Sequence, residues 1–373
     1  MSSPPGQVPP SPAGPPDPGG GHQAGSRSET MQLAGRQSTI RATRWVLGAL
    51  VLVVVVVVTI AVTLLVTKSS STTAVPATPS TPTPVEADTS DIASATDDGP
   101  VGVITDEPTC ASWAPIADTY AAQADKGWNN RDPSVPATEW STAQRAMYDE
   151  MAIAMRSAAD ETVALAKLTP HRVMRELYEQ AVAYWRAYAD AVPTYEPDDD
   201  PLGRVATAAS NAVGTICSAI NWGSAAARAP LVSPIPAPYG EGTLGDTDNP
   251  ERFLTEEVPV CRDWIAAAQK FDNDTVEWFR TDPNIPAAQW SPEQQATMER
   301  TALIMQSHAD QIQNLGAQSL NSVFDDFASL ATQYRRAFVQ SFPTYTPADA
   351  HLANTAAELI ATNSHACRAT GVR

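Results

Sequence analysis

Four cysteines and five histidines are the side chains of this 373-residue chain best suited to metal, redox or nucleophilic chemistry. Cys110 and Cys217 lie 107 positions apart, and Cys261 and Cys367 lie 106 apart. Four cysteines allow three disulfide pairings, and an even count in an oxidising compartment reads as a disulfide set. A zinc site is the rival chemistry, but the chain has no Cys-x-x-Cys and no histidine at ligand spacing. Oxidised cysteines would leave no thiol nucleophile. No Gly-rich phosphate loop, G-x-S-x-G or H-E-x-x-H motif is present.

The near-equal spacings have a cause. Shifted by 150, the first copy (109–221) falls on the second (within 259–373): Asp132-Pro133 on Asp282-Pro283, Trp140-Ser141 on Trp290-Ser291, Met155 on Met305, Pro193-Thr194-Tyr195 on Pro343-Thr344-Tyr345, and Cys217 on Cys367. Only the stretch between the first cysteine and the Asp-Pro needs a further one-residue offset. A duplication of this length gives two domains of one kind and tests every candidate residue, because chemistry shared by both copies requires the residue in both. The histidines fail that test. His171 falls on Asn321, and His308, His351 and His365 fall on Ala158, Pro201 and Thr215. The expectation is a non-enzymatic protein with no catalytic, cofactor-binding or metal residues and no cofactor.

Two charged positions do recur, Asp160 with Asp310 and Arg186 with Arg336. With a turn near residue 169, Asp160 sits opposite about residue 178, roughly 12 Å from Arg186 at 1.5 Å per residue, so separate contacts are expected. Aromatic and proline positions recur as well. Trp128, Trp140 and Tyr195, with Phe279, Trp290 and Tyr345 as counterparts, gather near the Asp-Pro loops. They form the candidate interaction surface, against the plainer reading of loops pinned to a bundle end.

The elements that carry these residues read as helices. Their expected ranges are 109–128, 141–167, 170–192 and 200–218 in the first copy, and 259–280, 291–317, 320–342 and 347–367 in the second. Val173, Leu177, Tyr184, Tyr188 and Val192 step by four and seven along one face, as do Val323, Phe327, Tyr334, Phe338 and Phe342. Ser141-Thr-Ala-Gln144 and Ser291-Pro-Glu-Gln294 are capping-box sequences. Each copy therefore reads as a four-helix bundle. In an up-down-up-down bundle the start of helix 1 and the end of helix 4 share one end, which favours Cys110–Cys217 and Cys261–Cys367.

Outside the copies, residues 1–43 are Pro-rich and read as a disordered cytoplasmic tail. Residues 44–67 include the uncharged run Trp45–Thr67 of 23 residues, long enough for a transmembrane helix. Arg27, Arg36, Arg41 and Arg44 before it place the N-terminus inside by the positive-inside rule. Residues 68–108 read as a Ser/Thr/Pro-rich acidic stalk, and 222–258 as a Pro/Gly-rich linker. The formal net charge is −18, and an exterior this acidic argues against nucleic acid as a partner.

The Pro-rich N-terminus, Val-rich anchor, Thr/Pro stalk and a chain using 20 Arg against 4 Lys resemble the actinobacterial, mycobacterial-type proline-rich single-pass membrane proteins of unassigned function. The resemblance is one of architecture and implies a cell-envelope protein. The expected fold is all-α, one transmembrane helix followed by two tandem disulfide-closed four-helix-bundle-like repeats. The expected localisation is the cell membrane, with the C-terminal domains extracytoplasmic. The expected function is binding or scaffolding, with an envelope protein or cell-wall component as partner. An envelope enzyme, its accessory subunit, or a sensor signalling to the tail are the alternatives.

Overall fold

The computed structural model describes residues 91–238 and 244–372. The expected helices form with their ends displaced by a few residues. The first half holds α1 (Cys110–Ala124), α2 (Thr142–Leu168), α3 (Arg172–Ala191) and α4 (Asp200–Asn221), followed by the short α5 (Ser224–Arg228). The second half holds α6 (Cys261–Asp274), α7 (Val276–Phe279), α8 (Pro292–Gln318), α9 (Ser322–Ser341) and α10 (Ala350–Ala369). Their starts are locally encoded. Ser141 and Gln144 form a reciprocal capping box at α2, while the Ser291 side chain accepts from the Gln294 amide at α8. α9 starts later than Leu320 because Asn321 caps it, accepting from the Phe324 amide at 2.9 Å.

Both disulfides pair within a half, Cys110 with Cys217 and Cys261 with Cys367, at Cα separations of 5.5 and 5.4 Å. Each ties the start of a first helix to the end of a fourth.

The two halves belong to one compact unit, Pro84–Arg373. Alanine-rich α4 and α10 lie along each other and form the most extensive contact between any two helices, small side chains allowing close approach of the axes. The segments leading into each half lie across the other. The Tyr184 hydroxyl of the first half donates to the Leu254 carbonyl at 3.2 Å, and its counterpart Tyr334 donates to the Ile104 carbonyl at 3.4 Å. Arg172 of the first half forks onto Asp326 of the second at 2.8 and 3.0 Å, and Arg228 onto Asp349 at 2.9 Å. Residues 91–108, placed by sequence at the end of the stalk, thus contribute buried Ser94, Val101, Ile104 and Glu107. The linker range 222–258 contributes α5 and buried Leu254.

The membrane part of the expected fold class is corrected here. Among the described residues no helix is long and apolar enough to cross a membrane. The long helices are amphipathic, and α2 alone carries Arg145, Asp149, Glu150, Arg156, Asp160, Glu161 and Lys167. The one-transmembrane-helix architecture and the single-pass, membrane-anchored localisation are not carried forward. The range 44–67 on which they rested lies outside the described residues, as do the tail 1–43 and residues 68–90.

The recurring ion pairs require a second correction. Arg186 meets Asp160 at 2.8 Å and Arg336 meets Asp310 at 2.7 Å. The rise-per-residue estimate left out side-chain direction. Helical side chains lean toward their own N-terminus. In this antiparallel pair Arg186 therefore leans toward the turn and Asp160 away from it, so both close the gap.

Candidate functional site

The six aromatic candidates part company in the structure. Trp140 is 9% exposed and stacks on Tyr148 at 3.9 Å between ring centroids and on Tyr195 at 5.4 Å. Its indole nitrogen donates to the Val135 carbonyl at 2.9 Å, and the Tyr195 hydroxyl donates to the Pro133 carbonyl at 2.8 Å. The second half repeats this: Trp290 donates to the Ile285 carbonyl at 2.9 Å and Tyr345 to the Pro283 carbonyl at 2.7 Å. These four residues hold the Asp-Pro loops against the bundle end. Trp128 is buried edge-on against Tyr188, with the Arg131 guanidinium over its ring at 3.6 Å. Its counterpart is Trp278, which meets Phe338 in the same T-shaped way, rather than Phe279. Phe279 alone of the six is exposed, at 58%.

Phe279 stands at a cavity of about 340 Å³ confined to the second half. At this cavity the two halves differ on the apolar face of the third long helix. In α3, Trp185 is fully buried and fills the bundle between Trp113 and Tyr120, at 6.3 and 5.2 Å between centroids. The corresponding residue of α9 is Arg335. Trp113 and Tyr120 become Trp264 and Phe271, which keep their burial, and the indole gives way to the Arg335 guanidinium over the Phe271 ring. Ala158 becomes His308, and Thr215 becomes His365, both on the cavity wall.

The electrostatics of this site are unusual for a helical core. Arg335 is only 5% exposed. Its guanidinium lies over the Phe271 ring at 3.9 Å, and its Nε and Nη1 have no hydrogen-bond partner among the described residues. Burial pushes it down to about 9, against the opposing attraction of Asp272, so it remains a cation at neutral pH. Neither ring nitrogen of buried His308 makes a well-formed hydrogen bond among the described residues, the Ala267 backbone offering only a weak one, and its ring sits 4.6 Å from that of Phe271. Burial, reinforced by the Arg335 charge, lowers His308 to about 3. Burial, with Arg368 next, lowers His365 to about 4. Burial raises the Asp272 carboxyl, with Arg335 pulling it back. The remaining wall is mostly alanine, aliphatic and aromatic side chains, with Gln269, Asn354, Ser364 and Arg368 as further polar groups. The site thus presents one buried cation and neutral imidazoles inside an apolar chamber, which suits holding an anionic group with an apolar body.

His308 also sets a pH dependence. Its folded-state value lies below its ordinary one, so its contribution to stability is present above about pH 6.5 and is lost as pH falls toward 3. Between pH 6.5 and 4 the wild type should lose on the order of 2 kcal/mol through this residue. His308→Ala, which restores the residue of the first half, should remove that part of the slope in urea melts taken across the range. An unchanged slope would show that His308 does not titrate differently on folding.

None of the titratable cavity residues Asp272, His308, Arg335 and His365 recurs between the halves, which is why comparing the copies for shared chemistry passed over them. The readable signal was Arg335 itself: a charged residue opposite Trp185, at a position that otherwise continues the apolar face through Ala331 and Phe338.

Fold and site together define a helical protein closed by two disulfides, whose second half holds a chamber with a buried cation on its wall. The chain belongs to the mycobacterial ESX-1 associated protein family, whose match spans residues 92–371. It is also similar to an uncharacterized protein of Mycolicibacterium smegmatis (strain MKD8), 47% identical over 371 residues, a span covering 99% of this chain and 97% of that protein. No solved structure matches it. The mycobacterial part of the resemblance drawn from sequence is thereby established.

Proposed function

We propose that the protein serves ESX-1-dependent secretion as a non-enzymatic binding component, with the chamber of the second half as its binding element and the first half as the rigid body that supports it. The family supplies the secretion context. The observation that carries the binding reading is Arg335. A buried guanidinium with unpartnered nitrogens is destabilising unless something pairs with it, and the first half demonstrates that the same fold closes with Trp185 in that place. A chamber kept open at such a position has its use in what enters it. The paired cysteines suit work in an oxidising compartment, and the envelope partner expected from sequence fits a secretion machinery.

The test is genetic. Deletion of the gene in a mycobacterium with a working ESX-1 system should lower export of that system's substrates at least fivefold, measured by quantitative mass spectrometry of culture filtrate. The wild-type gene should restore export, and Arg335→Met should not. Export unchanged by deletion would refute the secretion role. Export restored fully by Arg335→Met would refute the chamber as the working element.

A further inference from the structure

We propose that the chamber of the second half binds a small apolar monocarboxylate, its carboxylate paired with Arg335 and its hydrocarbon body lying between Phe271, Phe338 and the alanine wall of α10. This rests on the chamber being the binding element and names what it takes.

Charge selects the head group. The cationic side chains on the wall are Arg335 and Arg368, and Asp272 opposes them, a net of one positive charge for a singly charged anion. That sign is notable in a chain of net charge −18. A planar carboxylate matches the guanidinium fork, and Nε and Nη1 of Arg335, buried and unpartnered, are free to donate to it. His308 adds ring nitrogens with no well-formed hydrogen bond among the described residues and, being neutral, adds no charge.

Shape selects the tail. A chamber of about 340 Å³ lies within the range of small-molecule sites, roughly 300–1,000 Å³. Its wall along α10 is an apolar strip of four alanines and Ile360, with Asn354, Ser364, His365 and Arg368 as its polar positions. Trp278 and exposed Phe279 stand at its edge, where aromatic rings can close over an entering chain. Polar groups of a ligand laid along the alanine strip itself would be left unpaired.

Isothermal titration calorimetry of the full chain with decanoate and with decanol tests this. Decanoate should bind one per chain and at least tenfold more tightly than decanol. Shorter fatty acids should weaken by about threefold to fourfold per methylene removed. Arg335→Met, with its fold checked by circular dichroism, should weaken decanoate at least tenfold while leaving decanol within threefold. Absence of decanoate binding to the wild type at 1 mM, roughly the ceiling for a specific site of this kind, would overturn the proposal, as would equal binding of decanol or a stoichiometry of two. The wild-type comparison stands even where the variant fails to fold. If decanoate fails but Arg335→Met still blocks export, the chamber stands and only this ligand class falls. If decanoate binds but deletion leaves export unchanged, the secretion role falls instead.

Discussion

Removing either disulfide should cost about 4–5 kcal/mol, and removing both should leave the chain unfolded at 37 °C. The bonds close loops of 107 and 106 residues, and constraining a loop of that length in the unfolded chain is worth about 4.7 kcal/mol on the entropy model. Folded domains are typically stable by only about 5–15 kcal/mol, so two such losses exceed what most cores can absorb. Cys110→Ser with Cys217→Ser, and Cys261→Ser with Cys367→Ser, separate the two contributions in urea melts. The second pair should be the more damaging in practice, because the half it closes already contains the chamber. A loss below about 1 kcal/mol for either pair would mean that the helices hold their register without the clasp.

Trp140→Ala should be the most costly aromatic truncation at the loop end, about 3–5 kcal/mol, the range for deleting a fully buried ring. The ring is stacked on two tyrosines and its nitrogen fixes the Val135 carbonyl. Trp290→Ala should cost at least about 1 kcal/mol less, because that ring is only half-buried, although it makes the equivalent bond to Ile285. Equal melting curves for the two variants and the wild type would return these tryptophans to the role of a surface.

What the sequence made legible, and what it hid, follows from which signals are local. The helices were readable because their periodicity and caps are properties of contiguous residues: the steps through Val173, Leu177 and Tyr184, and the Ser141–Gln144 box. The disulfide pairing was readable because a bundle's connectivity places its two ends together. The packing of the halves was not. The α4–α10 contact, the fork of Arg172 on Asp326 and the crossing of the leading segments join residues far apart in sequence, and no local pattern announces them. The Asp160–Arg186 pair was misjudged by counting backbone rise while neglecting the lean of side chains. The expected membrane-spanning architecture came from 44–67 and finds no counterpart among the described helices, the long ones of which bury amphipathic faces against one another.

The chamber was hidden for a different reason. Recurrence between copies identifies what both halves need to fold, and so it points to Trp140 and Tyr195, which pin loops. A function acquired by one half appears instead as divergence, at Arg335 against Trp185 and His308 against Ala158. Duplicated proteins are best searched in both directions, first for what is kept and then for the apolar position where one copy has accepted a charge.

The central claim is that the second half gives up stability to keep a cationic chamber open. Thermal denaturation of Arg335→Met beside the wild type tests it most directly. Methionine keeps an unbranched apolar stem and removes the buried, unpartnered charge, and such replacements are neutral or stabilising, by about 1–4 kcal/mol where a buried ionic group gives way to an apolar one. The melting temperature of Arg335→Met should therefore equal or exceed that of the wild type by a few degrees. A fall of more than about 5 °C, close to 1 kcal/mol or more for a protein of this size, would show that Arg335 holds the half together, and would contradict the account.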